Sequence, residues 1–554
     1  MIAEKLARLG VKRLLLAIHD ASFPADAGEN IGRGSPNTRA SARLLEYVRE
    51  LGFTGVQLGP QGQTSRDNAS PYDAMIFSRD VAAIAWPDIG AWAIDHHDHA
   101  HAWDAAHALM AQYAVDSPEL DEFRRANHEW LDVDAMYFAL ARQYGGTAHR
   151  DWPAADRDRW VDHSPLDPRA RRELGFRIDA VKDPLFEKKL RVHHATLRDA
   201  VEIEQAALIY AYGQMIAHEQ HWRTRQHAAR LGLVLYGDFQ VGYSDVELWA
   251  YRSAFLDGYR MGAPPSRTNP AGQPWGFPVL DPDQYEGRAG ELLEARIGKA
   301  LAEYDGMRID HPHGLVCPWV YRPELPVHLG ARLHESPDLA DHPALAVFTY
   351  VRPDQIDRAQ PRYADGWVKG PFEPWQVDAY ASLIGKLAQA TTHLSCEVLS
   401  TMPAPLGAAL GKFGLGRWRV AQKANLDDAR DVYRMENARR EDWVMLGNHD
   451  TAPIFALIAG WSPAVREAWV RHLAARLRVP GERFVDDGFV ANAMLAECLA
   501  SDAENVSIFF ADLWGYTERF NTPGEINATN WSLQLPPDFD RLYAERLAQH
   551  HALD

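Results

Sequence analysis

Positive charge is in short supply in this chain. Lys and Arg number 58 against 76 Asp and Glu, a formal net charge of −18 over 554 residues. A field of that sign slows every approach to a phosphate backbone or an anionic lipid surface, so nucleic acid and membranes are set aside as partners. Cysteine is scarcer still. Cys317, Cys396 and Cys498 are odd in number and far apart, which argues against a disulfide framework and a zinc motif and points to a reducing compartment. Long apolar runs are missing too: the N-terminal stretch mixes Glu4, Lys5, Arg8, Lys12 and Arg13 with its apolar residues, and its apolar run is too short for a signal peptide or a membrane span. A cytoplasmic protein is expected. Nothing reads as a long flexible linker either, so residues 1–554 are expected to form one large domain with inserted subdomains.

What is present is the composition of a soluble globular protein, 46% apolar and 24% charged. The 18 tryptophans offer flat faces that can stack on sugar rings or fill a core, core filling being the default for any single one. Strand patterns at 13–20 (R-L-L-L-A-I-H-D) and 52–60 (G-F-T-G-V-Q-L-G-P) flank helical spacing over 38–51, a strand–helix–strand opening to a parallel sheet. Further strands are read at 233–241, into Asp310, and at 393–399, 442–449 and 505–510, with helices over 291–302 and 465–477. Residues 91–230 break this rhythm as a helical insertion, and 322–385 form a second, irregular one rich in Pro, His and Asp. Between them, 262–278 reads as a Pro/Gly-rich loop. The expected fold class is α/β, a (β/α)8 TIM barrel with inserted, partly helical subdomains, which places chemistry at the C-terminal ends of the strands.

The stretch Y-D-G-M-R-I-D-H-P-H-G at 304–314 organises the rest. Its Arg308 and Asp310 are two apart and share a face of an extended strand, so the guanidinium could hold the carboxylate ionised and oriented. An R-x-D step is equally what a structural ion pair at a strand end looks like. Glu397 and Asp450 stand at two later strand ends, and three such carboxylates suit chemistry at a glycosidic bond, where one ionised and one protonated carboxyl must face each other. Two anions nearby would raise the proton affinity of Glu397. Asp238 also lies near a strand end, and S-P-Y-D at 70–73 is a turn that either displays Tyr72 or packs it. The run D-H-H-D-H-A-H at 95–101 imitates a metal site but reads better as solvated surface at a helix start. The Gly-rich 407–416 lacks the spacing of a phosphate loop, so neither metal nor organic cofactor is expected.

Taken jointly, several motifs resemble glycoside hydrolase family 77, the amylomaltases or 4-α-glucanotransferases of the α-amylase clan. They are H-D-A-S-F-P at 19–24, S-P-Y at 70–72, G-D-F-Q-V-G-Y-S-D-V-E-L-W at 237–249, and G-Q-P-W-G at 272–276. R-I-D-H at 308–311, W-V-K-G-P at 367–371, N-H-D-T at 448–451 and R-F-N-T-P-G-E-I-N-A-T-N-W at 519–531 complete the set. By that resemblance Asp310 matches the nucleophile, Glu397 the acid/base and Asp450 the transition-state stabiliser. Arg308, Asp238 and His449 match residues lining the subsite of the attacked glucose, and Tyr72 matches the aromatic that stacks on it. The resemblance implies malto-oligosaccharides and α-glucans as partners. Three departures stand out. Glu397-Val398-Leu399-Ser400 replaces the usual Glu-Asp-Leu-Gly, Asn448 replaces a Thr, and Arg267-Thr268 replaces a Tyr-Phe pair. The last leaves Trp275 as the stacking surface of its loop, or else as a loop anchor. A retaining 4-α-glucanotransferase is expected, with an α-glucan hydrolase and a silent glycan-binding barrel as rivals.

Overall fold

The computed structural model describes residues 2–86, 98–146, 148–162, 164–169, 197–265, 269–332, 353–355, 357–360, 369–399 and 402–550. Among them the strands are β1 (Arg13–Ala17), β2 (Gly55–Gln57), β3 (Val234–Phe239), β4 (Arg260–Ala263), β5 (Gln273–Phe277), β6 (Gly306–Ile309), β7 (Trp319–Tyr321), β8 (Ala331–Arg332), β9 (Leu394–Cys396), β10 (Trp418–Val420), β11 (Trp443–Met445) and β12 (Asn505–Phe509).

Eight of these strands pair in parallel in the order β10-β11-β12-β1-β2-β3-β6-β9. Read as a ring, that is chain order, and the ring is drawn together where the Trp418 amide of β10 donates to the Val398 carbonyl just past β9 at 3.0 Å. The result is the parallel barrel with outer helices that the sequence suggests. Its strands are buried on both faces, as in β6 and β12 where every residue is buried, which is why they read as apolar runs rather than alternations. Outer helices follow the usual logic. In Arg39–Glu50, Thr38 accepts the Ser41 amide as N-cap, and Leu44, Leu45 and Val48 bury one face against the sheet. Each such side chain contributes about 1.5–3 kcal/mol on burial.

Three elements differ from the sequence reading. β10 was not legible as a strand: it is three residues long with Arg419 at its centre, whose charge is met by Asp442 at 2.6 Å. The stretch 262–278 is no mere loop, because β4 and β5 pair antiparallel within a second sheet ordered β5-β4-β7-β8. The irregular 322–385 region contributes β8 to that sheet and begins the helix Pro374–Ala390. Residues 99–230 contain the helices His99–Tyr113, Pro118–Gln143 and Leu197–Arg230. A core cluster joins Trp130, Trp152 and Trp160 of this region to Trp249 beyond it, so these indoles fill a core. The three cysteines are free and buried. Among the described residues no helix is long and apolar enough to cross a membrane.

Candidate active site

The register of the barrel assembles the site. Asp238 on β3 is the Cα partner of Arg308 on β6, and Arg308 is in turn the partner of Ser395 on β9. One step on, the Asp310 amide donates to Phe239 (3.0 Å) and the Glu397 amide to Ile309 (2.9 Å), so both acids leave their strands side by side. His311 then adopts φ of 42°, a left-handed conformation unusual for a residue with a side chain, and turns the chain into the short helix Pro312–Val316.

Arg308 is the hub, with 1% of its surface exposed. Its Nη1 donates to Asp238 and, at 3.0 Å, to the Tyr72 hydroxyl; its Nη2 donates to Asp310 Oδ1 at 3.1 Å and to Glu397 Oε2. The guanidinium carbon lies over the rings of Trp418 (5.1 Å) and Tyr72 (5.5 Å). The other Asp310 oxygen accepts the Val241 amide at 2.9 Å, so the carboxylate is held from two sides and cannot rotate freely. Tyr72, on the turn Pro71–Asp73, donates its hydroxyl to Asp238 (3.1 Å) and stacks on His449 with ring centres 5.0 Å apart.

Asp450 follows β11 in a turn that Asn448 builds: its Oδ1 accepts the Asp450 amide at 3.1 Å, and its own amide donates to Thr451 Oγ1 at 2.9 Å. That is a physical use for the Asn at this position. Asn521 donates to Asp450 Oδ1 at 2.7 Å, and His449 Nε2 lies 3.5 Å from Oδ2. Val398, where the family usually has Asp, is buried among Leu406, Leu410 and their neighbours.

The electrostatics separate the acids. Burial, then Asp310, Asp450 and Asp238, push the Glu397 carboxyl up to about 8 against the pull of Arg308. Desolvation is therefore the leading cause, ahead of the neighbouring anions that sequence reasoning named. Asp238 is raised to about 7, again first by burial. Asp450 is raised by its withdrawal from solvent, against the Asn521 hydrogen bond. Burial and then Arg308 lower His449 to about 3, which keeps its ring neutral.

The structure thus brings together Tyr72, Asp238, Arg308, Asp310, Glu397, His449 and Asp450. Trp275 is half-buried on β5, donating to Gln273 Oε1 at 3.0 Å and meeting His311 edge-on at 5.4 Å; none of these contacts is with a carboxylate. Arg267, Thr268 and Ser400 lie outside the described residues, as do Asp95, His96 and His97. In the remainder of the histidine run, Asp98 caps the helix His99–Tyr113 and His101 pairs with it at the surface, whereas His99 is half-buried with its ring nitrogens on Arg33 Nη1 (3.0 Å) and the Ser65 carbonyl (2.8 Å), so the run is solvated surface only in part. Among the described residues one trio has the spacing of metal ligands, Glu436, His472 and Glu497, but Arg434 and Arg476 already pair its carboxylates.

Sequence reasoning missed four contributors. Trp418 belongs to the unread strand, and the Val241 amide has no side-chain signal. Asn521 and Trp531 lie inside R-F-N-T-P-G-E-I-N-A-T-N-W, where no spacing singles them out. The ends of that segment are tied by the Trp531 amide donating to Phe520 at 2.8 Å. Trp531 packs near His19 (5.6 Å) and Tyr72 (5.7 Å) at a left-handed φ of 62°. His19, whose neutral ring reaches within 5.1 Å of His449, needs Gly59 beside it, since a Cβ there would collide with the imidazole.

The fold is similar to that of the amylomaltase from Streptococcus agalactiae in complex with acarbose, with a TM-score of 0.66 at 16% identity over 98% of this chain and 100% of that one. In sequence, the chain is 29% identical over 39% of its length to the chloroplastic/amyloplastic 4-alpha-glucanotransferase of Oryza sativa subsp. japonica, and 22% identical over 80% of its length to that of Solanum tuberosum. These matches span 32% and 65% of the two plant proteins, less than two thirds of either. The family model described as 4-alpha-glucanotransferase matches residues 22–539, and the chain belongs to that family, glycoside hydrolase family 77.

Proposed function

We propose that this chain is a retaining 4-α-glucanotransferase that moves segments of α-1,4-glucan between malto-oligosaccharide or starch-type and glycogen-type chains. The observation that carries the reading is the shared Nη2 of Arg308, to which both Asp310 and Glu397 are hydrogen-bonded. Two oxygens on one nitrogen lie at most about 6 Å apart, the sum of two ordinary hydrogen-bond lengths, which suits the short carboxyl separation of retaining enzymes better than the ~6.5–9.5 Å that inverting ones use to admit a water.

On this reading Asp310, held by Arg308 and the Val241 amide, attacks the anomeric carbon. Glu397, protonated at neutral pH by its burial, gives its proton to the departing glycosidic oxygen. The bond from the sugar to that oxygen breaks as the bond to Asp310 forms. In the second half, the now ionised Glu397 takes the proton from the 4-hydroxyl of an acceptor glucose, whose oxygen displaces Asp310 with net retention. Asp450 stabilises the positive charge that grows on the ring, while Tyr72, Asp238 and neutral His449 line the pocket of the attacked glucose. This chemistry calls on protein groups alone. The acarbose bound by the Streptococcus agalactiae amylomaltase fits the same substrate class. The buried free thiols fit a reducing, cytoplasmic setting, and residues 91–230 and 322–385 are taken as insertions in one barrel domain.

Pure maltotriose provides the test. Glucose together with maltotetraose and longer products, at a nearly constant number of reducing ends, is the expected outcome. A steady rise in reducing ends without longer products would mean a hydrolase. No product at any chain length would mean a silent glycan-binding barrel.

A further inference from the structure

The guanidinium of Arg308 meets a different acceptor at each of four N–H groups: Nη1 donates to Asp238 and the Tyr72 hydroxyl, Nη2 to Asp310 and Glu397. The remaining N–H, on Nε, is buried and finds no hydrogen-bond acceptor among the described residues. All the in-plane restraint therefore acts on the two outer nitrogens. A turn of the fork about its stem would give Nη2 to one acid and take it from the other, so something must also hold the plane.

Buried donors are seldom left unmet, and an aromatic face is the partner that remains. Two rings lie within cation–π reach of the guanidinium carbon, Trp418 at 5.1 Å and Tyr72 at 5.5 Å. Tyr72 is already bound to Nη1 through its hydroxyl and belongs to the glucose pocket. Trp418 has only its face to offer, because its single N–H donates to Ser395 Oγ at 2.8 Å. Backbone pairing sets that geometry. Ser395 on β9 is the register partner of Arg308 on β6, and the Trp418 amide at the start of β10 donates to Val398 just past β9. Arg308, Ser395 and Trp418 are 1%, 2% and 3% exposed, so water is kept from the contact. A ring face also suits the place electrostatically. It attracts the cation without adding an anion, whereas a further carboxylate would compete for the Nη donors and raise the proton affinity of Glu397 again.

On the reading of Asp310 and Glu397 as nucleophile and acid/base, we propose that Trp418 is their positioning residue. Its indole face, aimed by the Ser395 hydroxyl, fixes the Arg308 guanidinium in the orientation in which one nitrogen serves both acids.

Trp418→Leu removes the face and keeps apolar bulk, while Trp418→Phe keeps a face. In the full-length protein acting on maltotriose, Trp418→Leu should lose roughly 10–30-fold in kcat with KM within about twofold, the size of a desolvated cation–π contact. Its alkaline limb should move upward, because the pull of Arg308 that lowers the Glu397 carboxyl is weakened. Trp418→Phe should recover most of the rate and the native limb. If Trp418→Leu melts at lower temperature but keeps the native limb, or if Trp418→Phe is as impaired as Trp418→Leu, the indole is packing alone and the proposal is overturned. Should Trp418→Leu fail to fold, Ser395→Ala frees the indole with little loss of volume and should cost about threefold in kcat, with the limb moving the same way. A native rate and limb in Ser395→Ala would overturn the aiming role of that hydroxyl. Crystal structures decide the matter without turnover: in Trp418→Leu, or in Ser395→Ala where only that folds, Nη2 should no longer reach both Asp310 and Glu397. A nitrogen still bonded to both would overturn the proposal. Absence of glucan transfer by the native protein would instead count against the transferase reading, and this structural comparison would still stand.

Discussion

At the scale of the residue, Glu397 shows most directly how surroundings set a role. Its carboxyl is lifted to about 8, chiefly by burial, so the proton needed for leaving-group departure is held through neutral pH and lost above it. The alkaline limb of kcat/KM on maltotriose is therefore expected near pH 8. Glu397→Gln should abolish turnover of maltotriose yet still be loaded by an α-glucosyl fluoride, because fluoride leaves without a proton. Peptide mass spectrometry should find that adduct on Asp310, and a different residue would refute the assigned roles. The linkage also has a definite sign. Between 4.5 and about 8 the folded chain binds a proton here that the unfolded chain does not, so this group's contribution to stability falls as pH rises through that window. Hence Glu397→Gln should gain stability over the native protein at pH 8 but not at pH 5, on the order of 1–2 kcal/mol in chemical denaturation. Asn521 is the second case, since its 2.7 Å bond favours the ionised form of Asp450 and fixes its direction. A hydrogen bond to a charged group is worth about 1.5–3 kcal/mol, so Asn521→Ala should lower kcat by roughly 10–100-fold with a smaller change in KM. Losing that bond should also move the acidic limb of the profile upward; an unchanged limb and kcat would leave Asn521 a mere loop residue. The acids themselves could be singled out as candidates from sequence, because chemistry at a glycosidic bond calls for such residue types at strand ends. Asn521 could not, since its partner lies 71 residues away along the chain.

At the scale of the element, β10 explains why a barrel can be seen in a sequence while one of its strands is not. Three residues with a central arginine show no periodicity. Trp418–Val420 is extended because Trp443–Met445 pairs with it, because the Trp418 amide meets Val398, and because Asp442 neutralises Arg419 in the interior. The β4–β5 hairpin is a similar case. Its Pro and Gly residues suggest a loop, yet Met261 pairs with Phe277 and Ala263 with Gln273 across an irregular register. This hairpin brackets Arg267 and Thr268, where relatives commonly carry an aromatic pair. Aromatic faces covering an acceptor glucose hold it in place while water is excluded, an effect of about 1 kcal/mol, or several-fold in occupancy. Arg267→Tyr combined with Thr268→Phe should therefore raise the ratio of transfer to hydrolysis on long amylose several-fold and increase the yield of large cyclic glucans. If neither quantity moves, Arg267 and Thr268 do not govern the acceptor.

At the scale of the whole molecule, the two ends of the chain complete the same barrel. β12 pairs with β1 over five residue pairs, Arg13↔Asn505 to Ala17↔Phe509. Beyond it, the Leu535 amide donates to Ser22 at 3.0 Å and the Gln534 side chain to Phe23 at 2.8 Å. Deleting residues 505–554 would leave both β1 and β11 with open edges and Asp450 without Asn521, and exposed edges invite association with other chains. Such a chain is expected to be recovered as aggregate, by size-exclusion chromatography and circular dichroism; a folded monomer would show that the barrel does not depend on closure. The sequence by itself determined the elements whose cause is local: the apolar runs of the longer strands, the capped and amphipathic helices, the acidic surface, and the residue types that chemistry at a glycosidic bond requires. Only the tertiary structure decided which strand closes the ring, that Arg308 would grip both Asp310 and Glu397 through one nitrogen, and that burial more than charge would protonate Glu397. Those outcomes depend on distance and desolvation between residues far apart in the chain, and neither quantity exists until the barrel closes.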